Sequence, residues 1–246
     1  MTAETAKPKH RSQFRLLGSP RFLPLFFTQA LGAFNDNIFK NALVILITYS
    51  AAASLHGIDT QTLVALAGGI FILPFFLFSA TAGQLADKLP KPELVRKVKL
   101  LEIAIMIAAA IGFAIESQIL LLVVLFFLGV QATLFGPLKY GLLPELLEED
   151  ELIGGNALIE TATFLVILIG TILGGIIILK AHGLTIVSVV CVALAVLGWW
   201  TSRTIPARPA ASPSLKINYN IIAETFNMVR LSYVDLPIFR SIIGIS

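Results

Sequence analysis

The side chains with chemistry to offer are concentrated in LGAFNDNIFKNALVI, residues 31–45. Asp36, Lys40 and three asparagines, Asn35, Asn37 and Asn41, stand there within an otherwise apolar run. Asp36 and Lys40 are four residues apart, so a helix sets an anion and a cation on one face, where they can partly neutralise one another. At 100° per residue, Gln29, Asp36, Asn37, Lys40, Asn41 and Thr48 fall within one arc of ~140°, and Asn35 alone lies outside it. An ionised side chain at a bilayer centre costs ~2.5–3.5 kcal/mol on insertion scales, so such a pair needs a reason. A structural lock between helices would need only the pair. The accompanying amides and hydroxyl favour the second reading, a polar stripe lining a wet cavity through which an ion or polar solute passes. The chemistry expected is binding and release, not bond making.

Bond-making arrangements do not emerge elsewhere. The sequence has no Walker loop, no Gly-x-Ser-x-Gly elbow and no glycine-rich dinucleotide fingerprint. His10, His56 and His182 are scattered, and Cys191 is the one cysteine, so neither a metal site nor an internal disulfide is expected. The chain is read as non-enzymatic, without a cofactor, and without a nucleic-acid partner. Its formal net charge of +3 is accounted for by basic segments at one membrane face.

The elements that must position the stripe follow from composition. Of 246 residues, 57% are hydrophobic and 13% charged, about half the charge of a soluble domain. The apolar residues are gathered in blocks long enough to cross ~30 Å of hydrocarbon as helices. Six spans are expected: Phe22 to Tyr49, Thr62 to Ala86, Val98 to Ile115, Ile119 to Lys139, Ile153 to Leu179, and Leu184 to Ser202. Short connections make successive helices antiparallel neighbours. The expected organisation is a basic tail over 1–21, a six-helix bundle over 22–204, and a linker with an amphipathic helix over 205–234. The apolar run over 235–246 reads as the start of a seventh span, cut short. Basic residues cluster in the tail, in the second connection (Lys88, Lys91, Arg96, Lys97, Lys99) and after the sixth span, whereas the opposite side holds only Lys180. The positive-inside rule then places the N-terminus in the cytoplasm.

Further candidates flank the stripe. Gln131 falls near mid-depth of the fourth span, Gly136-Pro137 should loosen that helix, and Lys139 and Tyr140 follow at its cytoplasmic end. Glu160 lies in the first turns of the fifth span, as a dipole-stabilised carboxylate or a gate residue. Gly170 and Gly174 are spaced for close helix packing. Glu102 and Glu116 are expected near helix ends in contact with solvent. The segment GQLADKLPK is read as a cytoplasmic loop gate. In it Gly83 permits close approach, Asp87 accepts hydrogen bonds from a neighbouring helix end, and Lys88 and Lys91 meet acidic or phosphate partners.

That loop resembles the signature loop of the major facilitator superfamily. FFTQALGAFNDNIFKNALVILITY and FGPLKYGLLPELLEEDELIGGNALIE, together with it, resemble the lysophospholipid transporter family within that superfamily, and most closely the members fused to an acyltransferase and acyl-carrier-protein ligase. The resemblance implies an all-α membrane fold of twelve helices, of which this chain has the N-terminal six. It implies inward movement of lysophospholipid, chiefly lysophosphatidylethanolamine, across a bacterial inner membrane. The family's functional Asp-Asn pair corresponds to Asp36 and Asn37, and its lysine before Gly-x-Leu-Pro-Glu to Lys139. Implied partners are the lysophospholipid, membrane lipid, a second six-helix half and a fused acyltransferase. The alternatives are a carrier of another solute, such as a drug or organic ion, and a membrane module delivering substrate to the acyltransferase.

Overall fold

A computed structural model describes residues 13–49 and 59–218, together with Asn220, Glu224, Arg230 and Arg240. Its long elements are α1 (Leu23–Tyr49), α2 (Thr60–Lys88), α3 (Lys91–Ala114), α4 (Gln118–Leu146), α5 (Leu152–Ile178) and α6 (Gly183–Arg203). Short 3-10 turns over Gln13–Gly18 and Glu149–Glu151 precede α1 and α5. Asp59 starts α2 by accepting the Thr62 N–H at 3.4 Å, and Ser117 starts α4 by accepting the Leu120 N–H at 3.3 Å. Helices are the natural outcome for these blocks, because every backbone polar group in hydrocarbon must find its partner within the segment.

Among the described residues, five helices are long and apolar enough to span a membrane. The exception is α3, which carries Lys97, Lys99 and Glu102 in its latter three-quarters. It also begins at Lys91, well before the expected Val98, and this earlier start moves Lys99 and Glu102 from a helix end into the helix body. The GQLADKLPK segment is likewise corrected. Its residues Gly83, Asp87 and Lys88 belong to the last turns of α2, and only Leu89 and Pro90 join α2 to α3.

Adjacency departs from chain order. The helix α1 packs mainly against α5 and α6, α3 against α6 and α4, and α4 against α3 and α2. Consecutive helices, apart from α3 and α4, are therefore not principal partners. Short loops fix direction, whereas small residues select contacts in a lipid solvent, where apolar burial alone favours no particular neighbour. A Cβ at Gly174 would lie 2.5 Å from the Ile38 carbonyl oxygen, and one at Gly129 would lie 2.4 Å from that of Phe71. These two close approaches seat α5 on α1 and α4 on α2. The helix α2 continues through Pro74, and α4 continues through Pro137 and Pro144. Gly136-Pro137 thus does not break the fourth helix.

One end of the bundle is tied by charge. Arg21 donates to both Glu151 carboxylate oxygens, at 2.8 and 2.6 Å, and to the Leu146 carbonyl at 3.1 Å. Residues 205–218, within the expected linker, lie along the same end: Ser212 N–H bonds the Asp87 carbonyl at 2.8 Å, and Asn218 N–H bonds Gln84 Oε1 at 2.9 Å. Most of the expected amphipathic helix, the expected seventh span over 235–246, and residues 1–12 of the tail lie outside the described residues. The outward side chains of α5, including Ile153, Phe164, Leu168 and Ile172, are exposed and apolar, as a lipid-facing surface requires.

Candidate functional site

The structure divides the polar residues of α1 into three groups. Gln29, Asn37 and Asn41 lie in the α1–α5 contact. Gln29 donates to the Ile159 carbonyl at 3.3 Å and accepts from the Thr163 hydroxyl at 3.0 Å. Asn37 donates to the Ala33 carbonyl of its own helix at 2.7 Å, and its Cβ faces Gly170. The Asn41 Cβ faces Gly174. The glycines of α5 come close enough to cover this side, so the stripe is not one continuous lining as its angular spacing suggested.

The second group is a charged knot among α1, α3 and α4. Glu102 is fully buried and Lys99 is 1% exposed, which overturns the expectation of a solvated Glu102. Lys99 Nζ donates to Glu102 Oε2 at 2.7 Å, Gln131 Nε2 donates to the same oxygen at 2.9 Å, and Asn35 Nδ2 donates to Glu102 Oε1 at 3.1 Å. Lys99 also lies 4.8 Å from the centroid of the Phe135 ring. Its ammonium occupies the place where a Cβ on Gly32 would be, 2.3 Å away, so the absent side chain makes the niche. Asn35, the residue left outside the arc, therefore points to the most buried charge in the bundle. The missed signal was the spacing of Lys99 and Glu102, three residues apart in an apolar context. It was masked by assigning Lys99 to a basic loop.

The third group is Asp36 and Lys40, which have not closed on each other. Among the described residues, no ion pair within 4.0 Å joins them or gives Lys40 another carboxylate. Asp36 is half-buried, and its Oδ1 is buried without a hydrogen-bond partner. Lys40 Nζ sits 4.3 Å from the Phe71 ring centroid. It lines a cavity of about 250 Å³ between α1, α2 and α4, whose other walls include Leu43, Val44, Gly68, Ile72 and Leu125. A carboxylate oxygen lacking a donor and an ammonium without a carboxylate within 4.0 Å can take the two ends of a zwitterion.

The remaining candidates sit at the tied end. Lys139 Nζ lies 3.2 Å from Glu160 Oε1, and the Tyr140 hydroxyl donates to that oxygen at 2.9 Å, bridging α4 and α5. Lys91 is buried against Gly141 and paired with Glu145 at 2.5 Å. Lys88 is half-buried and Asp87 exposed, and among the described residues no hydrogen bond reaches the Asp87 carboxylate. Gly83 is half-buried in α2. Among the described residues no cluster of histidine, cysteine and acidic side chains is suited to a metal ion.

Comparison with known proteins bears on this arrangement. The chain is 28% identical over 235 residues to the lysophospholipid transporter LplT of Enterobacter sp. (strain 638), covering 94% of this chain and 54% of that protein. It is 28% identical over 209 residues to LplT of Salmonella newport (strain SL254), covering 85% of this chain and 48% of that protein. The chain thus spans about half the length of these relatives. The peptide transporter POT, crystallised with alafosfalin, shares the fold with a TM-score of 0.55 at 17% identity, covering 96% of this chain and 52% of POT. The family model of the Major Facilitator Superfamily matches residues 25–243. With six helices in this arrangement and a match over most of its length, the chain belongs to the Major Facilitator Superfamily.

Proposed function

We propose that this chain is one half of a carrier that moves lysophospholipid, lysophosphatidylethanolamine in the first instance, inward across a bacterial inner membrane. The observation that carries the reading is the open pair, with Asp36 Oδ1 buried and unpartnered and Lys40 facing a cavity without an anion. The two residues are ~6 Å apart along the helix axis, a spacing suited to the ammonium and phosphate of one ethanolamine head group. Asp36 takes the ammonium and Lys40 the phosphate. The likeness to LplT supports this substrate over a drug or organic ion, and over a purely anchoring role beside an acyltransferase. Alternating access then comes from rocking this six-helix unit against a second one about the midplane site. With the N-terminus in the cytoplasm, the end tied by Arg21–Glu151, Lys91–Glu145 and Lys139–Glu160 is the inner side, and these pairs open as the head group leaves.

The test is uptake of labelled lysophosphatidylethanolamine by membranes of cells expressing the gene. Asp36→Asn keeps the shape of the side chain and removes its charge, so uptake should fall at least tenfold at unchanged protein level, and excess unlabelled lysophospholipid should compete with uptake by the parent. Uptake by Asp36→Asn equal to the parent's would overturn the role of the carboxylate.

A further inference from the structure

The polar pair accounts for a head group and leaves the hydrocarbon tail without a place. We infer that the cavity between α1, α2 and α4 is the seat of that tail, holding one alkyl chain of an anionic or zwitterionic amphiphile whose phosphate stays at Lys40. This rests on the lysophospholipid reading and adds to it a site that sets chain length.

Three observations carry it. The cavity of about 250 Å³ is lined by Leu43, Val44, Ile72 and Leu125, with Lys40 as its one charged group. A hydrophilic anion would gain nothing from those walls, a neutral hydrocarbon nothing from the ammonium, and a cation would be repelled. An anionic group carrying an alkyl chain uses both. The volume is about eight times the ~30 Å³ share of one liquid water, enough for a segment of one chain. Finally, α2 lines the cavity with Gly68, where an added Cβ would meet no atom within 4 Å. The glycine is therefore not demanded by packing within this chain, unlike Gly129 or Gly174. In a helix interior glycine is inferior to alanine, so its presence here leaves space rather than strength. The next residue, Gly69, also has open space around it and is not part of the lining, which makes it a matched control.

The experiment measures equilibrium binding of a series of alkyl phosphates and lysophosphatidylethanolamines, from short to long chain, to the purified full chain in nanodiscs. In the parent protein affinity should rise with chain length by about fourfold per methylene until the cavity is full, then level off. Gly68→Leu fills the space with four carbons and excludes about three methylenes. It should weaken the long-chain ligands by about fiftyfold and leave the shortest within twofold. Gly69→Leu should bind the whole series as the parent does, and equal thermal midpoints of the two variants would show that both fold. Lys40→Met should weaken every phosphate amphiphile irrespective of length. If the parent binds none of these ligands, the lysophospholipid reading itself is wrong. If the parent binds them and Gly68→Leu keeps the parent's chain-length profile, that reading stands and the tail lies elsewhere.

Discussion

The pair Lys99–Glu102 gives the sharpest quantitative test of how this bundle holds together. Glu102→Gln keeps the side-chain shape and removes the charge, leaving the Lys99 ammonium 1% exposed, with the carboxylate it contacts at 2.7 Å neutralised. Two magnitudes compete. Breaking one side of a buried pair costs ~3–5 kcal/mol, because the remaining charge is stranded. Interhelical hydrogen bonds inside bilayers are worth only ~0.6 kcal/mol each. Glu102 has two such bonds, from Asn35 and Gln131, at 3.1 and 2.9 Å, so hydrogen bonding alone supplies ~1.2 kcal/mol. The stranded charge should dominate. Lys99 cannot relax over α1 without leaving its niche at Gly32, and the Phe135 ring offsets at most ~2 kcal/mol. Glu102→Gln and Lys99→Met are each expected to destabilise the protein by about 3 kcal/mol. The double variant restores neutrality and should lose only about 1–2 kcal/mol, giving a coupling of about 4 kcal/mol or more between the two sites. Equilibrium unfolding in mixed micelles measures all four proteins. A Glu102→Gln variant within ~0.5 kcal/mol of the parent, or a double variant as unstable as the sum of the singles, would refute the reasoning.

Two further predictions concern packing and the tied end. Gly174→Ala places a Cβ 2.5 Å from the Ile38 carbonyl oxygen and should destabilise by ~1–3 kcal/mol, whereas its neighbour Gly175→Ala meets nothing within 4 Å and should gain up to ~1 kcal/mol in the same unfolding measurement. Arg21→Ala frees the start of α1 from Glu151 and the Leu146 carbonyl; the loss should be about 1 kcal/mol and shrink at high salt, because the Arg21 side chain is 35% exposed.

How much of this was legible in the sequence depends on which physical signal was involved. Helix number and most boundaries followed from apolar block length, because hydrocarbon thickness sets that length directly. The boundaries that failed were the start of α3, at Lys91 rather than Val98, and the end of α4, at Leu146 rather than Lys139. Lys91 to Lys99 read as a basic connection in which Lys91 meets an acidic or phosphate partner; Lys91 does find Glu145 on α4, while Lys99, inside the helix, finds Glu102 on its own helix, so the charges travel into the bundle as pairs. Pairing across helices is invisible to a one-dimensional pattern. The stripe on α1 was legible as a set of angles. What covers each angle was not, since Gly170 and Gly174, over a hundred residues away, decide that Asn37 and Asn41 are capped by α5. Asn35 shows the same reason in reverse, since an angle outside the arc still carries a polar contact once Glu102 stands opposite.

The buried ionisable groups then separate by how completely they are satisfied, and this separation carries the functional reading. Glu102 is ringed by donors from three residues, and Lys99 has both a carboxylate and an aromatic face. Such a closed knot gains little from a ligand and holds α1, α3 and α4 in register. Asp36 and Lys40, one turn apart on the same α1, are left open. Ionisable side chains within a membrane span that face a cavity without a close partner mark substrate or ion pathways by default. A fixed structural element would have been paired as Lys99 is. The contrast between the closed pair on α3 and the open pair on the adjoining α1 therefore supports the proposed zwitterionic ligand more strongly than the polarity of the stripe itself.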